Sequence, residues 1–179
     1  MAGIDWLLLL ELKPELIILN AMILNNKIAV VTGASAGLGA AISKCLTEKN
    51  VLVYGLGRTL ETLEKVHQHC GTKFMPIVLD IADEKAVNNW VQQNFEENKA
   101  PDILINNAGI GGFGNIDEMP SAQWVAMINT NLLGMYFMTA AIVPFLKTKT
   151  TSTHIINIGS IMGTVGKEAA TAYASSKFA

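Results

Sequence analysis

The sequence predicts an α/β fold: a doubly wound parallel sheet with helices on both faces, in three layers. Three observations predict it. Short apolar, β-branched runs alternate with longer amphipathic stretches along most of the chain. A glycine-rich string separates the first such run from the first helical pattern. Half of the 179 residues are hydrophobic and only 16% are charged, enough apolar material for one domain with a sizeable core. Alternation at this spacing favours right-handed crossovers between parallel strands.

The first strand is expected over 27–32, where Lys27-Ile28-Ala29-Val30-Val31-Thr32 reads as a buried parallel strand. It runs into Gly33-Ala34-Ser35-Ala36-Gly37-Leu38-Gly39 and then a helix over 37–49. The apolar face of that helix is read as Leu38, Ala41, Ile42, Cys45 and Leu46. Further strands are expected over 51–55, 73–79, 102–106 and 153–159. Further helices are expected over 60–70, 83–97 and 121–147, and from 171 onward. Asp83 is the natural N-cap of the third helix. In such a sheet ligands sit at the carboxyl ends of the strands, where the strand order reverses. The glycine loop, Asp80, the turn at Asn107 and Ser160 all fall at such ends.

Composition narrows the function. Thirteen basic against fifteen acidic residues give a net charge of −2, with no basic stripe, so nucleic acid is not an expected partner. Cys45 and Cys70 lie in no metal or redox spacing and are read as reduced thiols of a reducing, cytoplasmic compartment. His67, His69 and His154 form no ligand set, so no metal is expected.

Near the C-terminus, Tyr173 and Lys177 are four apart and share one face of a helix. A fixed ammonium beside a phenol favours the phenolate. Ser160, thirteen positions before the tyrosine, could bring a hydroxyl to the same substrate oxygen. Together they form acid–base machinery for a carbonyl/alcohol pair. The glycine loop between strand and helix lets a ligand approach the backbone, and the helix N-terminus offers N–H groups to an anion such as a pyrophosphate.

The chain resembles the short-chain dehydrogenase/reductase family, whose fold is Rossmann-like. The matching pieces, in family order over about residues 25–179, are Thr32 through Gly39, Asp80 in Leu79-Asp80-Ile81, and Asn106-Asn107-Ala108-Gly109, followed by Asn131, Ser160, and Tyr173 with Lys177. The loop spacing is Thr-Gly-x3-Gly-x-Gly.

The resemblance implies an oxidoreductase that moves a hydride between a nicotinamide and a small carbonyl/alcohol substrate. The implied catalytic set is Asn131, Ser160, Tyr173 and Lys177, with Ser160 and Tyr173 also meeting the substrate. Asn131 would support a water linking Lys177 to solvent. The implied cofactor set comprises Gly33, Ser35, Gly37, Leu38 and Gly39 of the loop, then Arg58, Asp80 and Ile81. Asn107, Ala108, Gly109, Tyr173 and Lys177 complete it. Asp80 would accept from the adenine amino group, and Asn107 would touch the ribose.

The cofactor's ribose phosphate is argued from charge. After the second strand the chain reads Gly55-Leu56-Gly57-Arg58-Thr59, with no acid before Glu61. Arginine there suits a 2′-phosphate, so NADP(H) is preferred, with NAD as the alternative. Ala36 occupies the position before the middle glycine, where many NADP-using members carry a second basic residue.

Both ends depart from the family. Residues 1–24 are an extension without counterpart, in which charges at Glu11, Lys13 and Glu15 break the apolar run. No uncharged stretch there reaches the roughly 18 residues of a membrane span. A membrane partner is therefore not expected, and Met22 is the expected native start. After Lys177 family members add at least one βα unit and a final strand, so residues 25–179 are expected to be an incomplete domain. Such a chain is expected to be a fragment with little stability or activity of its own. The full-length form is expected to be a homo-oligomer. The alternative reading is a non-catalytic dinucleotide-binding domain that has lost its substrate half.

Overall fold

The structure, a computed structural model, describes residues 23–179. The expected N-terminal extension, its apolar run and the expected start at Met22 fall on or before residue 24 and lie almost wholly outside the described residues.

Five parallel strands form one sheet in the order β3-β2-β1-β4-β5. They are β1 (Ile28–Thr32), β2 (Leu52–Gly57), β3 (Phe74–Val78), β4 (Ile103–Asn106) and β5 (His154–Asn157). Helices α1 (Gly37–Thr47), α2 (Leu60–Cys70) and α3 (Glu84–Asn94) follow the first three strands. A long helix follows β4. It consists of α4 (Ser121–Ile128), a π-helical stretch at Asn129–Leu133, and α5 (Gly134–Leu146). Helix α6 (Thr171–Phe178) follows β5. The strand order reverses between β1 and β4, which pair in parallel through Ala29–Ile103 to Val31–Ile105. A crevice therefore opens at the carboxyl ends of these two strands.

Strand alternation explains the layers. Val30, Tyr54, Leu56 and Leu104 point to one face, where they join Val87, Trp90 and Val91 of α3 and Met138, Ile142 and Leu146 of α5. Ala29, Val31, Val53, Ile103 and Ile105 point to the other, with Leu63 and Val66 of α2. Tyr54, Trp90 and Phe95 meet edge to face at centroid distances of 5.4–6.0 Å, a favoured aromatic geometry. Asp83 caps α3 as expected, accepting from the Ala86 N–H at 2.9 Å.

The expected apolar face of α1 holds in part: Ile42 and Leu46 pack on the core, but Leu38, Ala41 and Cys45 do not. Cys45 and Ala41 are exposed and Leu38 is 55% exposed; the buried positions are Gly39, Ser43 and Thr47. The helix sits so close to the β1 loop that small residues must face inward. A Cβ on Gly39 would overlap the Gly33 carbonyl oxygen and stand 2.6 Å from Asn107 Nδ2. Ser43 donates to the Gly39 carbonyl at 2.8 Å, so its hydroxyl is satisfied inside. Cys45 and Cys70 are both free thiols. Burial pushes the Cys70 thiol up, partly offset by Thr47 and Lys44.

The helix Ser121–Leu146 is 26 residues long and apolar enough to cross a membrane by length and composition. One of its sides packs on the sheet through Met138, Ile142 and Leu146, while Val125, Leu133 and Tyr136 are exposed. All four residues of the edge strand β5 are exposed, Ile155 and Ile156 among them. Among the described residues no further strand pairs with this edge.

At the opposite end of the sheet, Asp102 is 3% exposed. It accepts from the Ile28 N–H at 2.9 Å and from Lys27 Nζ at 3.0 Å, with Lys149 Nζ at 3.4 Å. Burial raises its carboxyl, but the Ile28 N–H and the two ammonium groups outweigh this and hold it below the usual carboxylate range.

Candidate functional site

The crevice at the β1/β4 switch is a cleft of about 400 Å³. Its floor is the turn from β1 into α1. Gly37 has φ +52°, a conformation that disfavours side chains, and a Cβ there would meet nothing within 4 Å. The backbone at Gly37 is thus open to a ligand, whereas Gly39 is needed for the close fit described above. Ala36 precedes α1 without any side-chain cap. The first-turn N–H groups of α1 therefore lack the partner that a capping side chain supplies, and they suit an anion.

The turn after β4 is tied to this floor. Thr32 Oγ1 accepts from the Asn107 and Ala108 N–H groups, each at 3.0 Å. Asn107 Nδ2 donates to the Thr32 and Gly33 carbonyls at 2.9 and 3.2 Å. Asn107 therefore braces the glycine loop. Leu56, Gly57 and Arg58 from the end of β2, with Leu79, Asp80 and Ile81 from the end of β3, form the side walls. Arg58 is exposed and makes no ion pair among the described residues. Asp80 Oδ1 accepts from the Ala82 N–H at 3.0 Å and is otherwise exposed.

Asn131 explains the break in the long helix. It is 5% exposed within the π-helical stretch. Its Oδ1 accepts from the Ile110 N–H at 2.8 Å, while Nδ2 donates to the Ile110 carbonyl and to Ser176 Oγ, each at 2.8 Å. A wider turn delivers this side chain inward, a common use of π-bulges. Ser176 Oγ in turn donates to the Tyr173 carbonyl at 2.8 Å, so Asn131 is coupled to α6.

On α6, Lys177 Nζ lies 6.0 Å from the Tyr173 ring centroid and donates to the Ile158 carbonyl at 3.2 Å. A Cβ on Gly109 would stand 3.3 Å from Asn131 Oδ1 and 3.6 Å from Lys177 Nζ. Gly109 also lines the cleft, so Asn131 and Lys177 meet at its edge. Ser160 caps a 3-10 turn, Ile161–Gly163, accepting from the Met162 N–H at 3.2 Å. That turn lies against α6, where a side chain at Gly163 would strike the Lys177 backbone.

The eleven cofactor positions expected from Gly33 to Gly109 all line this one cleft. Tyr173, Lys177, Asn131 and Ser160 stand beyond its lining, the first three joined through Gly109 and Ser176. Sequence reasoning missed Ala36, Leu56, Gly57, Leu79, Ile110 and Thr130 as lining residues. All but Leu56 adjoin an expected residue, which is the signal that could have found them. Among the described residues no group of His, Cys, Asp and Glu comes together to hold a metal ion.

Comparison with known proteins agrees with this geometry. The family model for short chain dehydrogenases matches residues 27–179. The chain is 36% identical over 150 residues to a probable NADP-dependent dehydrogenase of Haemophilus influenzae, covering 83% of the chain and 59% of that protein. It is 35% identical over 156 residues to the 3-oxoacyl-[acyl-carrier-protein] reductase FabG of Vibrio harveyi, covering 87% of the chain and 64% of that protein. The chain thus spans less than two thirds of the length of these relatives. Among solved structures, a metagenomic short-chain oxidoreductase in complex with NADP superposes with a TM-score of 0.81 at 32% identity, covering 88% of this chain and 72% of that one. NAD+-bound xylitol dehydrogenase superposes with a TM-score of 0.80 at 28% identity, covering 88% and 62%. The parallel sheet, the glycine loop and the match over nearly the whole described chain place the protein in the short-chain dehydrogenase family.

Proposed function

We propose that the protein is an NADP(H)-dependent oxidoreductase that interconverts a carbonyl and an alcohol. The observation that carries this is the meeting of Asn131 and Lys177 at Gly109, the edge of a cleft already shaped for a dinucleotide. The cleft fits such a group chemically. Uncapped N–H groups at the start of α1 suit a pyrophosphate, the exposed Leu38 offers an apolar surface, and Asp80 offers a carboxylate acceptor. The bound nicotinamide would supply hydride chemistry, which side chains cannot.

This chain's residues supply the rest. Tyr173 gives its proton to the substrate oxygen, and the Lys177 ammonium offsets the negative charge left behind. Ser160 donates a hydrogen bond to the same oxygen and orients it. Asn131 positions α6 through Ser176 and the turn at Ile110. Positioned proton transfer of this kind typically contributes 10²–10⁴-fold. Arg58, exposed beside Gly57 and free of an ion pair among the described residues, favours a phosphorylated ribose over an unphosphorylated one. A relative named NADP-dependent and an NADP-bound structural neighbour support that preference, while the NAD+-bound neighbour supports the alternative. The two free thiols accord with a reducing, cytoplasmic location.

The test is NADPH consumption with a panel of ketones and aldehydes, comparing wild type with Tyr173→Phe. The expected result is largely intact NADPH binding and a loss of turnover of about 10²-fold or more. Equal turnover by the variant would reject the assignment. NADPH binding without turnover in wild type would favour a non-catalytic dinucleotide-binding domain.

A further inference from the structure

Beyond the cleft, an exposed aromatic side chain and a lysine stand beside Tyr173. Phe113 is 64% exposed, and its ring centroid lies 6.5 Å from that of Tyr173 at a tilt of 49°. Lys167 Nζ lies 5.9 Å from the Phe113 centroid. We propose that Phe113 and Lys167 form the substrate-selecting wall, and that the substrate is a carbonyl compound carrying an anionic group.

The arrangement is built rather than incidental. The loop bearing Phe113 is seated on α4, because a Cβ at Gly112 would stand 2.5 Å from Gln123 Nε2 and 2.9 Å from Met127 Cε. Its next residue, Gly114, donates its N–H to the Ala169 carbonyl at 2.7 Å. Ala169 has φ +56°, a left-handed conformation costly for a residue with a Cβ. The Ala170 N–H closes the turn on the Lys167 carbonyl at 3.2 Å. One strained turn therefore fixes both the loop under Phe113 and the start of Lys167, directly before α6.

The cation at this wall is uncommitted, although Asp117, Glu118 and Glu168 stand in the same two segments. Lys167 makes no ion pair among the described residues. Nearby on the Phe113 loop, Glu118 is engaged by Asn115 Nδ2 at 3.0 Å. The other lysine at the site, Lys177, donates to the Ile158 carbonyl. Lying over a ring face restricts the position of the Lys167 ammonium. An ammonium so held beside an apolar surface can make a charge-assisted hydrogen bond to a carboxylate without first breaking a salt bridge.

This inference rests on the oxidoreductase reading, and the experiment separates the two. Pyruvate, acetoacetate and levulinate are each compared with their methyl esters for kcat/KM in wild type, Lys167→Gln, Lys167→Arg and Phe113→Leu. At least one acid is expected to exceed its ester by about tenfold in wild type, the size of one charge-assisted hydrogen bond. Lys167→Gln should bring that ratio near one, Lys167→Arg should retain it, and Phe113→Leu should lower it. An ester preference in every wild-type pair, or a ratio unmoved by Lys167→Gln, overturns the proposal. Should no carbonyl of the wider ketone and aldehyde panel turn over either, the oxidoreductase reading fails by itself. Calorimetric titration of levulinate in the presence of NADP then decides. Binding about tenfold weaker in Lys167→Gln upholds the anion site, and equal binding rejects it.

Discussion

Arg58 is the side chain that separates two cofactor readings. It projects from the end of β2 into the cleft and is exposed, and no carboxylate pairs with it among the described residues. An arginine fork gains roughly 1.5–3 kcal/mol from a charged hydrogen-bond partner, which is about tenfold to a hundredfold in affinity. Arg58→Ala should therefore weaken NADPH binding by at least about tenfold and leave NADH binding nearly unchanged, read by fluorescence titration of both. Equal losses for the two would assign Arg58 to something other than the 2′-phosphate. At this scale much was legible. Gly33, Asp80 and Asn107 announced themselves by their position at strand ends, and all three line the cleft. Asp102 did not, because a lone acid before an apolar strand carries no sign of what it faces. Only the fold brings it to Lys27, Lys149 and the Ile28 N–H.

At the scale of elements, the glycine loop and α1 act as one unit. Gly39 lets α1 lie against the Gly33 carbonyl and the Asn107 side chain. Gly39→Ala should force these apart. The expected outcome is a stability loss of about 1–3 kcal/mol, from overpacking, together with weakened dinucleotide binding. Chemical denaturation and cofactor titration of the same variant check both. The strands were readable because β-branched runs bounded by polar residues leave few choices. The expected 27–32 and 102–106 become Ile28–Thr32 and Ile103–Asn106. The inward face of α1 was only partly readable from hydrophobicity, which found Ile42 and Leu46. The closest contact is set by small size, so Gly39, Ser43 and Thr47 are buried while Cys45 is out. The interruption at Asn131 was half readable. Asparagine is a poor helix former, but the π-helical turn depends on Ile110, twenty-one residues away.

For the whole molecule, Asp102 ties β1, β4 and the end of the long helix together at the face opposite the cleft. Its carboxyl is held below the usual range in the folded state. Its contribution to stability is therefore fully present above the unfolded carboxylate pKa of about 3.9 and is lost as pH falls through the lower folded value. Asp102→Asn should cost about 2 kcal/mol at neutral pH, the scale of hydrogen bonds to a charged group. The gap between variant and wild type should narrow in acid. A gap that stays constant from neutral pH into strong acid would show that Asp102 gains nothing from being charged.

The central claim is that this fold brings a proton donor on α6 to a hydride source in the cleft. The most direct measurement supplies NADPH deuterated at the transferable nicotinamide position, with a carbonyl substrate that is consumed, and analyses the alcohol by mass spectrometry. The account predicts a single deuterium on the former carbonyl carbon in wild type, and no labelled alcohol from Tyr173→Phe. An alcohol formed without deuterium from either labelled face of the nicotinamide, or equal labelled product from the variant, would contradict it.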